Sequence, residues 1–209
     1  MKNEIPHLNL FMMCKKPNIS AFRELHKDYH FRTCKPSELD VWKYLSIKDP
    51  RFFDFMTDYF NLVYAAKEDL FFQKCLFACD KDDTPVGTCF IWKAYDQINT
   101  IQWFRVLPSH EGKGIGRAIL TELMKDLKED DYPVYIHTHP TGNRAIRLYS
   151  DFGFNLLSDP VIGYRKNELE ESLPFLEEIM PKEFFEKLSI TKAPEKLLKA
   201  ALLTEFEQF

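Results

Sequence analysis

The stretch "SHEGKGIGRAILTEL", residues 109–123, decides the fold, because it concentrates glycine directly before a good helix-forming sequence. Three of the seven glycines of the chain, Gly112, Gly114 and Gly116, stand here at alternate positions. Glycine is used where the backbone needs a positive φ or must approach another group closely, and it weakens a helix interior. The pattern predicts a glycine loop whose bare backbone faces a ligand; a plain tight strand-to-helix turn is the alternative.

The loop follows a predicted strand and opens a predicted helix. "TIQWFRV" at 100–106 has strand composition, and the helix runs from about 115 to 128 with an apolar face that includes Ile119 and Leu123. Backbone N–H groups at the positive end of a helix macrodipole bind phosphate without much side-chain charge. Neither GxxxxGK[ST] nor GxGxxG is present, so a nucleoside triphosphatase and a dinucleotide-binding fold are unsupported.

The rest of the chain predicts a mixed α/β fold with a largely antiparallel sheet. Ser37 and Asp40 have the capping-box spacing at the start of a short helix. Three short strands then follow with short connections, which predicts an antiparallel meander, and the helix after the glycine loop makes one parallel crossover. In order, the predicted elements are a strand at 30–35, helices at 37–45 and 51–67, strands at 74–80, 86–95 and 100–106, a helix at 115–128, a strand at 134–138, a helix ended by Gly153, and a strand from Phe154.

Composition and charge narrow the function classes. With 209 residues, 45% of them hydrophobic, the chain suits one domain with additions. The net charge of −4 and the lack of a basic stripe exclude an electrostatic grip on nucleic acid. No apolar run is long enough to span a membrane, and "LNLFMMC" is too short for a signal peptide. The five cysteines lack any CxxC or metal-type spacing, which predicts buried reduced thiols, a cytoplasmic location and no metal.

Two motifs together resemble a known family. "VLPSHEGKGIGRAIL" at 106–120 is similar to the acetyl-CoA loop of the GNAT N-acetyltransferase superfamily, (Arg/Gln)-x-x-Gly-x-(Gly/Ala), with Gly114 and Gly116 at the two small positions. "AIRLYSDFGF" at 145–154 resembles the second motif, Ala-x-x-Leu-Tyr-x-x-x-Gly-Phe. The resemblance implies a GNAT-like fold, with a splayed parallel strand pair, helices on both faces of the sheet, and transfer of an acetyl group from acetyl-CoA to an amine.

The resemblance also implies which residues hold the cofactor. The loop would bind the pyrophosphate through its backbone, and the strand before it would pair with the amide groups of pantetheine. A backbone N–H near Val106 or Leu107 would stabilise the oxyanion of the tetrahedral intermediate. The implied cofactor-binding residues are Phe104, Arg105, Val106, Gly112, Lys113, Gly114, Ile115, Gly116, Arg117 and Asn143.

Proton transfer is assigned to two side chains. Tyr149 matches the acid of the family beside the departing sulfur, either as proton donor or as hydrogen-bond donor to the thiolate; an amphipathic packing role is the alternative. His137 is the candidate base, since an imidazole titrates near neutrality. His139 and a water path to a distant carboxylate remain open as bases. The acceptor amine would meet residues 51–64 and the segment near Tyr164, and its identity is not encoded in a motif.

Two positions depart from the family pattern. Glu111 stands where the family has Arg or Gln, which places a negative charge near a diphosphate. Gly142 takes the place of the common asparagine, and Asn143 follows one step later. These departures favour a rival function, a non-catalytic CoA-binding module that serves regulation or assembly, whereas Tyr149 with the intact glycines favours the enzyme.

The resemblance divides the chain into three segments. Residues 1–29 form an N-terminal extension, 30–166 the GNAT domain, and 167–209 a C-terminal helical extension. Pro174, Pro181 and Pro194 punctuate three short amphipathic helices in that extension. Because their apolar faces would otherwise be exposed, we expect the extension to pack on the domain or on a second subunit, as in a homodimer.

Overall fold

A computed structural model describes residues 7–47, 49–204 and 206–209 of the chain. Residues 1–6 of the predicted N-terminal extension lie outside the described residues. The described strands are β1 (Leu10–Cys14), β2 (Tyr29–Thr33), β3 (Leu76–Asp80), β4 (Pro85–Ala94), β5 (Ile98–Val106), β6 (Val134–Thr138), β7 (Phe154–Leu157), β8 (Val161–Ile162), β9 (Arg165–Lys166) and β10 (Ile190–Thr191). The described helices are α1 (Leu39–Ser46), α2 (Phe53–Val63), α3 (Glu68–Lys74), α4 (Ile115–Met124), α5 (Asn143–Asp151), α6 (Leu169–Ile179), α7 (Lys182–Phe185) and α8 (Glu195–Ala200).

The chain divides into two compact units. Among the described residues, the first unit contains 7–21, 93–100, 127–204 and 206–209, and the second contains 22–47, 49–92 and 101–126. Strands β4 and β5 contribute residues to both units. The mixed α/β class with largely antiparallel strand pairing is confirmed in each unit.

The strands of the first unit follow the order β10, β7, β1, β6. β1 is antiparallel to both of its neighbours, whereas β10 is parallel to β7. At the start of β5, Asn99 and Thr100 pair in parallel with Val134 and Tyr135 of β6. Because α4 lies between β5 and β6 in the chain, this pairing confirms the predicted parallel crossover.

All five residues of β1 are buried, and β1 was not predicted as a strand. It pairs with β6 along its whole length and with β7 from Met12 to Cys14. A strand with buried neighbours on both edges and both faces is a continuous apolar run rather than an alternating one. The sequence "LFMMC" therefore lacks the period of two that marks a half-exposed strand.

The second unit has the strand order β5, β4, β3, β2, with antiparallel pairing of β2 to β3 and of β3 to β4. Helices α1 to α3 carry a large part of its aromatic core. Trp42 is completely buried, and five aromatic rings lie around it with centroids between 4.9 and 6.4 Å away: Phe60, Tyr64, Phe71, Phe90 and Trp103.

Several predicted boundaries are corrected by the structure. Ser37 does not cap α1: the residue before α1 is Glu38, whose Oε2 instead accepts the N–H of Lys35 at 3.0 Å and pairs with Arg32 at 2.7 Å. These contacts place a short 3₁₀ turn, Pro36–Glu38, before the helix. The helix predicted at 51–67 ends at Val63, and the separate helix α3, which was not predicted, delays the next strand to Leu76.

The five cysteines are free and buried, as predicted. None of the helices within the described ranges is long and apolar enough to cross a membrane. In the tail, Leu197, Ala200 and Phe209 pack in one apolar cluster with Phe11 of β1.

Candidate functional site

The glycine loop connects β5 to α4 in the second unit. After β5 the chain makes a 3₁₀ turn at Pro108–His110 and continues through Glu111 to α4. Gly112 and Gly114 have φ values of 78° and 80°, in the left-handed region that other residues rarely adopt. These two positions therefore favour glycine for the backbone conformation itself, in a ligand-binding loop and in a plain strand-to-helix turn alike.

The N-terminus of α4 is formed by this loop without help from a side chain. Gly114 is the N-cap residue, and its carbonyl accepts the N–H of Ala118 at 3.0 Å. The first N–H groups of a helix have no partner within the helix, and the macrodipole makes this end positive. The first turn contains no acidic residue. This end of α4 is therefore suited to an anion.

The space beside the loop glycines is open. A Cβ atom built on Gly112 or on Gly114 would have no heavy atom within 4 Å among the described residues. Lys113, between them, is exposed. A ligand phosphate can therefore approach this backbone closely, and a cationic side chain lies within the same loop.

Glu111, at the position where the family motif has Arg or Gln, is exposed. Burial lowers the pKa of Arg105 on β5, and the negative charge of Glu111 opposes that shift. The carboxylate is therefore close enough to Arg105 to act on it electrostatically. Part of the negative charge that Glu111 brings to the loop is offset by this guanidinium.

Gly87 on β4 allows α4 to pack closely on the strands. A Cβ on Gly87 would lie 3.0 Å from Ile119 Cδ1 and 3.1 Å from the carbonyl oxygen of Arg105. Such distances are shorter than normal van der Waals contacts, so a larger residue would push α4 or β5 away. Gly87 was not singled out by the sequence, although an isolated glycine within a strand is a known signal of close backbone approach.

The backbone N–H and C=O groups at the end of β5 point to known edges of the sheet where the strand meets the glycine loop. Leu107 donates its N–H to the carbonyl of Val86 on β4 at 2.8 Å. Alternate residues of a strand direct their backbone groups to the same edge, so Arg105 shares this edge with Leu107. Val106 directs its N–H and C=O groups away from β4. Val106 and Leu107 were the two predicted N–H donors to the oxyanion, and the N–H of Leu107 thus already donates a hydrogen bond to β4.

Tyr149 and Asn143 lie on α5 in the first unit. Tyr149 is 3% exposed, and its ring centroid is 5.8 Å from that of Phe154. Asn143 is the first residue of α5 and is half-buried. Gly153 ends this helix with a φ of 93°, and a Cβ there would lie 2.8 Å from the carbonyl oxygen of Lys16. The second motif therefore forms the predicted helix, turn and strand.

His137 on β6 has partners at both ring nitrogens. Nδ1 lies 2.6 Å from Arg165 Nη1, and since a guanidinium only donates, Nδ1 accepts this hydrogen bond. Nε2 therefore carries the proton and donates it to Asn9 Oδ1 at 2.9 Å. Burial and then the charge of Arg165 hold the pKa of His137 well below its usual value. The imidazole of His137 is therefore neutral, and the Nδ1 lone pair that could accept a proton already accepts the hydrogen bond from Arg165.

His139 extends this network. Its Nδ1 donates to the carbonyl of Leu8 at 2.8 Å, and its ring centroid is 3.7 Å from that of His7. Burial lowers the pKa of His139. Arg165 also pairs with Glu207 and donates to the carbonyl of Phe209. Both candidate histidines are thus tied to segments that are distant in the sequence.

One group of potential metal-ligating side chains occurs within the described residues, His30, Cys79 and Asp83. Asp83 Oδ1 is already bound by Arg32 Nε at 2.7 Å and by His30 Nε2 at 2.9 Å. Burial raises the pKa of the Cys79 thiol to about 11, so it is not a thiolate at neutral pH. This group is therefore a salt-bridge cluster beside the paired strands β2 and β3.

Comparison with known proteins places these elements in a family. The model of the "Acetyltransferase (GNAT) family" matches residues 19–154. Among curated proteins, none matches the sequence.

Several solved structures match this chain, and two of them, with TM-scores of 0.54 and 0.50, are similar in fold. An acetyltransferase from the GNAT family from Colwellia psychrerythraea has a TM-score of 0.54 and 13% identity over 73% of this chain and 54% of its own. A tandem GNAT protein from the clavulanic acid biosynthesis pathway has a TM-score of 0.50 and 11% identity over 73% of this chain and 50% of its own. A GCN5-related N-acetyltransferase from Sphaerobacter thermophilus has a TM-score of 0.47 and 18% identity over 64% of this chain and 43% of its own. The chain thus spans about half the length of these structures.

Proposed function

This chain belongs to the GNAT acetyltransferase family, and we propose that it transfers an acetyl group from acetyl-CoA to a primary amine of a small molecule or to an exposed amino group. The reaction proceeds by direct attack of the amine on the thioester in a ternary complex. The observation that carries the proposal is the glycine loop: two left-handed glycines open onto an uncapped helix N-terminus, with free space beside them.

The loop is the proposed site of the pyrophosphate. Backbone N–H groups from Lys113 to Arg117 bind the anion, with Gly112 beside them, and Lys113 and Arg117 add positive charge. The pantetheine arm pairs with β5 at Phe104 to Val106. Val106 directs its backbone groups away from β4, which supports its N–H as the donor to the thioester carbonyl, since the N–H of Leu107 is used by β4. Asn143 is a further proposed cofactor ligand.

Two proton transfers complete the reaction. Tyr149 is the proposed donor to the leaving sulfur, either of a proton or of a hydrogen bond to the thiolate. The incoming amine must lose a proton, and His137 is the proposed acceptor alongside a water path to a carboxylate. For His137 to accept a proton at Nδ1, its hydrogen bond from Arg165 must first break. This requirement supports the water path.

The acceptor amine is proposed to meet apolar side chains. Phe52, Phe55 and Leu62 on and beside α2 are each more than half exposed, at 56%, 53% and 55%. In the other unit, Tyr164 is 58% exposed. Exposed aromatic and aliphatic groups of this size suit an acceptor with an apolar body attached to its amine.

A cytoplasmic location forms part of the proposal, and it is supported by five free, buried cysteines. We also propose that the C-terminal helices dock on their own chain, because Leu197, Ala200 and Phe209 share a cluster with Phe11. A homodimer that uses the outer faces of these helices stays an open alternative, and no nucleic acid or membrane partner is proposed.

The rival function is a non-catalytic CoA-binding module, and Glu111 favours it because a carboxylate beside a diphosphate weakens binding. Calorimetry with CoA and a thiol-release assay with acetyl-CoA and a panel of amines separate the two functions. CoA binding with amine-dependent thiol release supports the enzyme. Binding without thiol release for every amine class supports the module, and the absence of binding overturns both.

A further inference from the structure

Strand β5 contains a strained residue where it approaches the glycine loop. Trp103 has a φ of 49°, in the left-handed region, although it lies within a strand. The other described non-glycine residues with positive φ, Asp83, Tyr95 and Asp96, lie in turns. For a bulky side chain this conformation is an outlier that persists only where the surrounding structure holds it, and such strain clusters at functional sites.

The side chains of Gln102 and Trp103 show how the positive φ of Trp103 changes the strand. Tyr64 Oη donates to Gln102 Oε1 at 3.0 Å and accepts from Trp103 Nε1 at 3.0 Å. Gln102 and Trp103 are consecutive, and in a regular strand consecutive side chains point to opposite faces. Both reach the same hydroxyl, so the alternation of side chains is broken at Trp103, as it is at the extra residue of a β-bulge.

A bulge changes the edge of the sheet toward which the backbone N–H and C=O groups of each later residue of the strand point. Beyond Trp103, Leu107 donates to β4 and Val106 therefore directs its backbone groups to the other edge. The side chain of Val106 lies on the α4 side, where a Cβ on Gly87 would meet both Val106 Cγ2 at 3.4 Å and Ile119 Cδ1 at 3.0 Å. Without the extra residue, Val106 would direct its N–H toward β4 instead.

Tyr64 is well placed to hold the bulge. It lies at the C-terminus of α2, is completely buried, and contacts the rings of Trp42 at 6.0 Å and Trp92 at 5.0 Å. Burial raises the pKa of Tyr64 well above its usual value, so the hydroxyl keeps its proton and donates. The ring of Trp103 also packs edge-on against Tyr59 at 5.3 Å.

We propose that Tyr64 is a positioning residue for the cofactor-binding strand: its hydroxyl holds the Trp103 bulge, and the bulge sets the backbone phase of Phe104–Val106. This inference rests on the proposed function, in which that segment binds the pantetheine arm. Tyr64 itself touches no reacting atom. Its effect is therefore confined to ligands that carry pantetheine.

The test compares two ligands on the variant Tyr64→Phe. CoA carries the pantetheine arm, whereas 3′-phospho-ADP carries only the nucleotide and pyrophosphate that the glycine loop would hold. We expect CoA affinity to fall about five- to tenfold, the effect of misplacing one or two hydrogen bonds, while 3′-phospho-ADP affinity stays unchanged. The KM for acetyl-CoA rises correspondingly. Tyr135→Phe is the matched control, because Tyr135 is 1% exposed and its Oη has no hydrogen-bond partner among the described residues.

A second variant keeps the test decisive if Tyr64→Phe folds poorly. Trp103→Phe removes the indole N–H together with the five-membered ring that carries it, and it should weaken CoA to a similar degree. The double variant should weaken CoA by less than the two single variants combined, because both lose the same hydrogen bond between Trp103 and Tyr64. Unchanged CoA affinity in a folded variant overturns the inference, and so does an equal loss for both ligands. If the wild-type protein binds no CoA, the proposed function fails instead.

Discussion

Replacing Gly114 by alanine separates a ligand-binding role of the loop from a purely structural one. Gly114 has a φ of 80°, and a Cβ there would meet no described heavy atom within 4 Å. The change therefore adds backbone strain without a steric clash inside the protein. The matched control is Gly153→Ala, where φ is 93° and the new Cβ would lie 2.8 Å from the Lys16 carbonyl oxygen.

The expected stability changes follow from these contacts. An alanine held in the left-handed region costs about 1–2 kcal/mol, which in a chain of this size lowers the melting temperature by about 2–8 °C. Gly153→Ala adds an overpacking cost of about 1–3 kcal/mol to the same strain. We therefore expect Gly153→Ala to be the less stable variant, with Gly114→Ala remaining folded at 25 °C.

The expected binding changes have the opposite order. In the proposed function, a methyl group at Gly114 would stand where the pyrophosphate approaches the backbone, and losing one charge-assisted hydrogen bond costs about 1.5–3 kcal/mol. CoA affinity should thus fall about 10- to 100-fold in Gly114→Ala, and stay near the wild-type value in the folded fraction of Gly153→Ala.

Thermal denaturation and calorimetry with CoA, performed on the same protein preparations, measure both quantities. If Gly114→Ala binds CoA as tightly as the wild type, the loop is a structural turn and the pyrophosphate site lies elsewhere. If both variants lose affinity in proportion to their loss of stability, binding reports only on folding. Either result refutes the reasoning.

Three further predictions concern the proposed chemistry and its surroundings. Tyr149→Phe should lower turnover about ten- to a thousandfold with nearly unchanged CoA binding. If the variant keeps full turnover under conditions where the chemical step limits the rate, Tyr149 has only a packing role. Glu111→Gln should tighten acetyl-CoA binding less than threefold at physiological salt, because Glu111 is exposed and partly offset by Arg105; a gain of tenfold or more that fades with added salt contradicts this. Since burial lowers the pKa of both His137 and His139, the unfolded state binds more protons below about pH 6.5, and the free energy of unfolding should fall as the pH drops through that region, by at most about 1.4 kcal/mol per pH unit for each histidine. Denaturant unfolding at several pH values checks this, and His137→Gln should flatten the slope whereas His26→Gln, at an exposed histidine, should not.

The sequence predicted the parts of the fold that carry local signals. Glycines at positive φ, such as Gly114 and Gly153, are visible because few other residues adopt that conformation. The strands and helices between β3 and β7 were predicted in order, since their periodicity and turns are local. Strand β1 was missed because its burial on all sides removes the alternation.

The surroundings of the candidate residues were less predictable. The partners of His137 are Asn9 and Arg165, which are remote in the sequence and are brought to it only by the tertiary fold. The Trp103 bulge has no sequence signature, because tryptophan ordinarily favours extended strands and only the Tyr64 hydroxyl reveals why it departs. At a non-glycine residue such as Trp103, a positive φ results from tertiary contacts, which the local sequence does not reveal.

The position of β1 between β6 and β7 has a consequence for synthesis on the ribosome. Cys14 pairs with Val134, whose codon is read about 120 positions later. At roughly 5–20 residues per second, the completed β1 waits about 6–24 s before its first neighbour exists. During that interval five apolar residues have neither edge covered, so β1 can form non-native contacts with other segments of the growing chain.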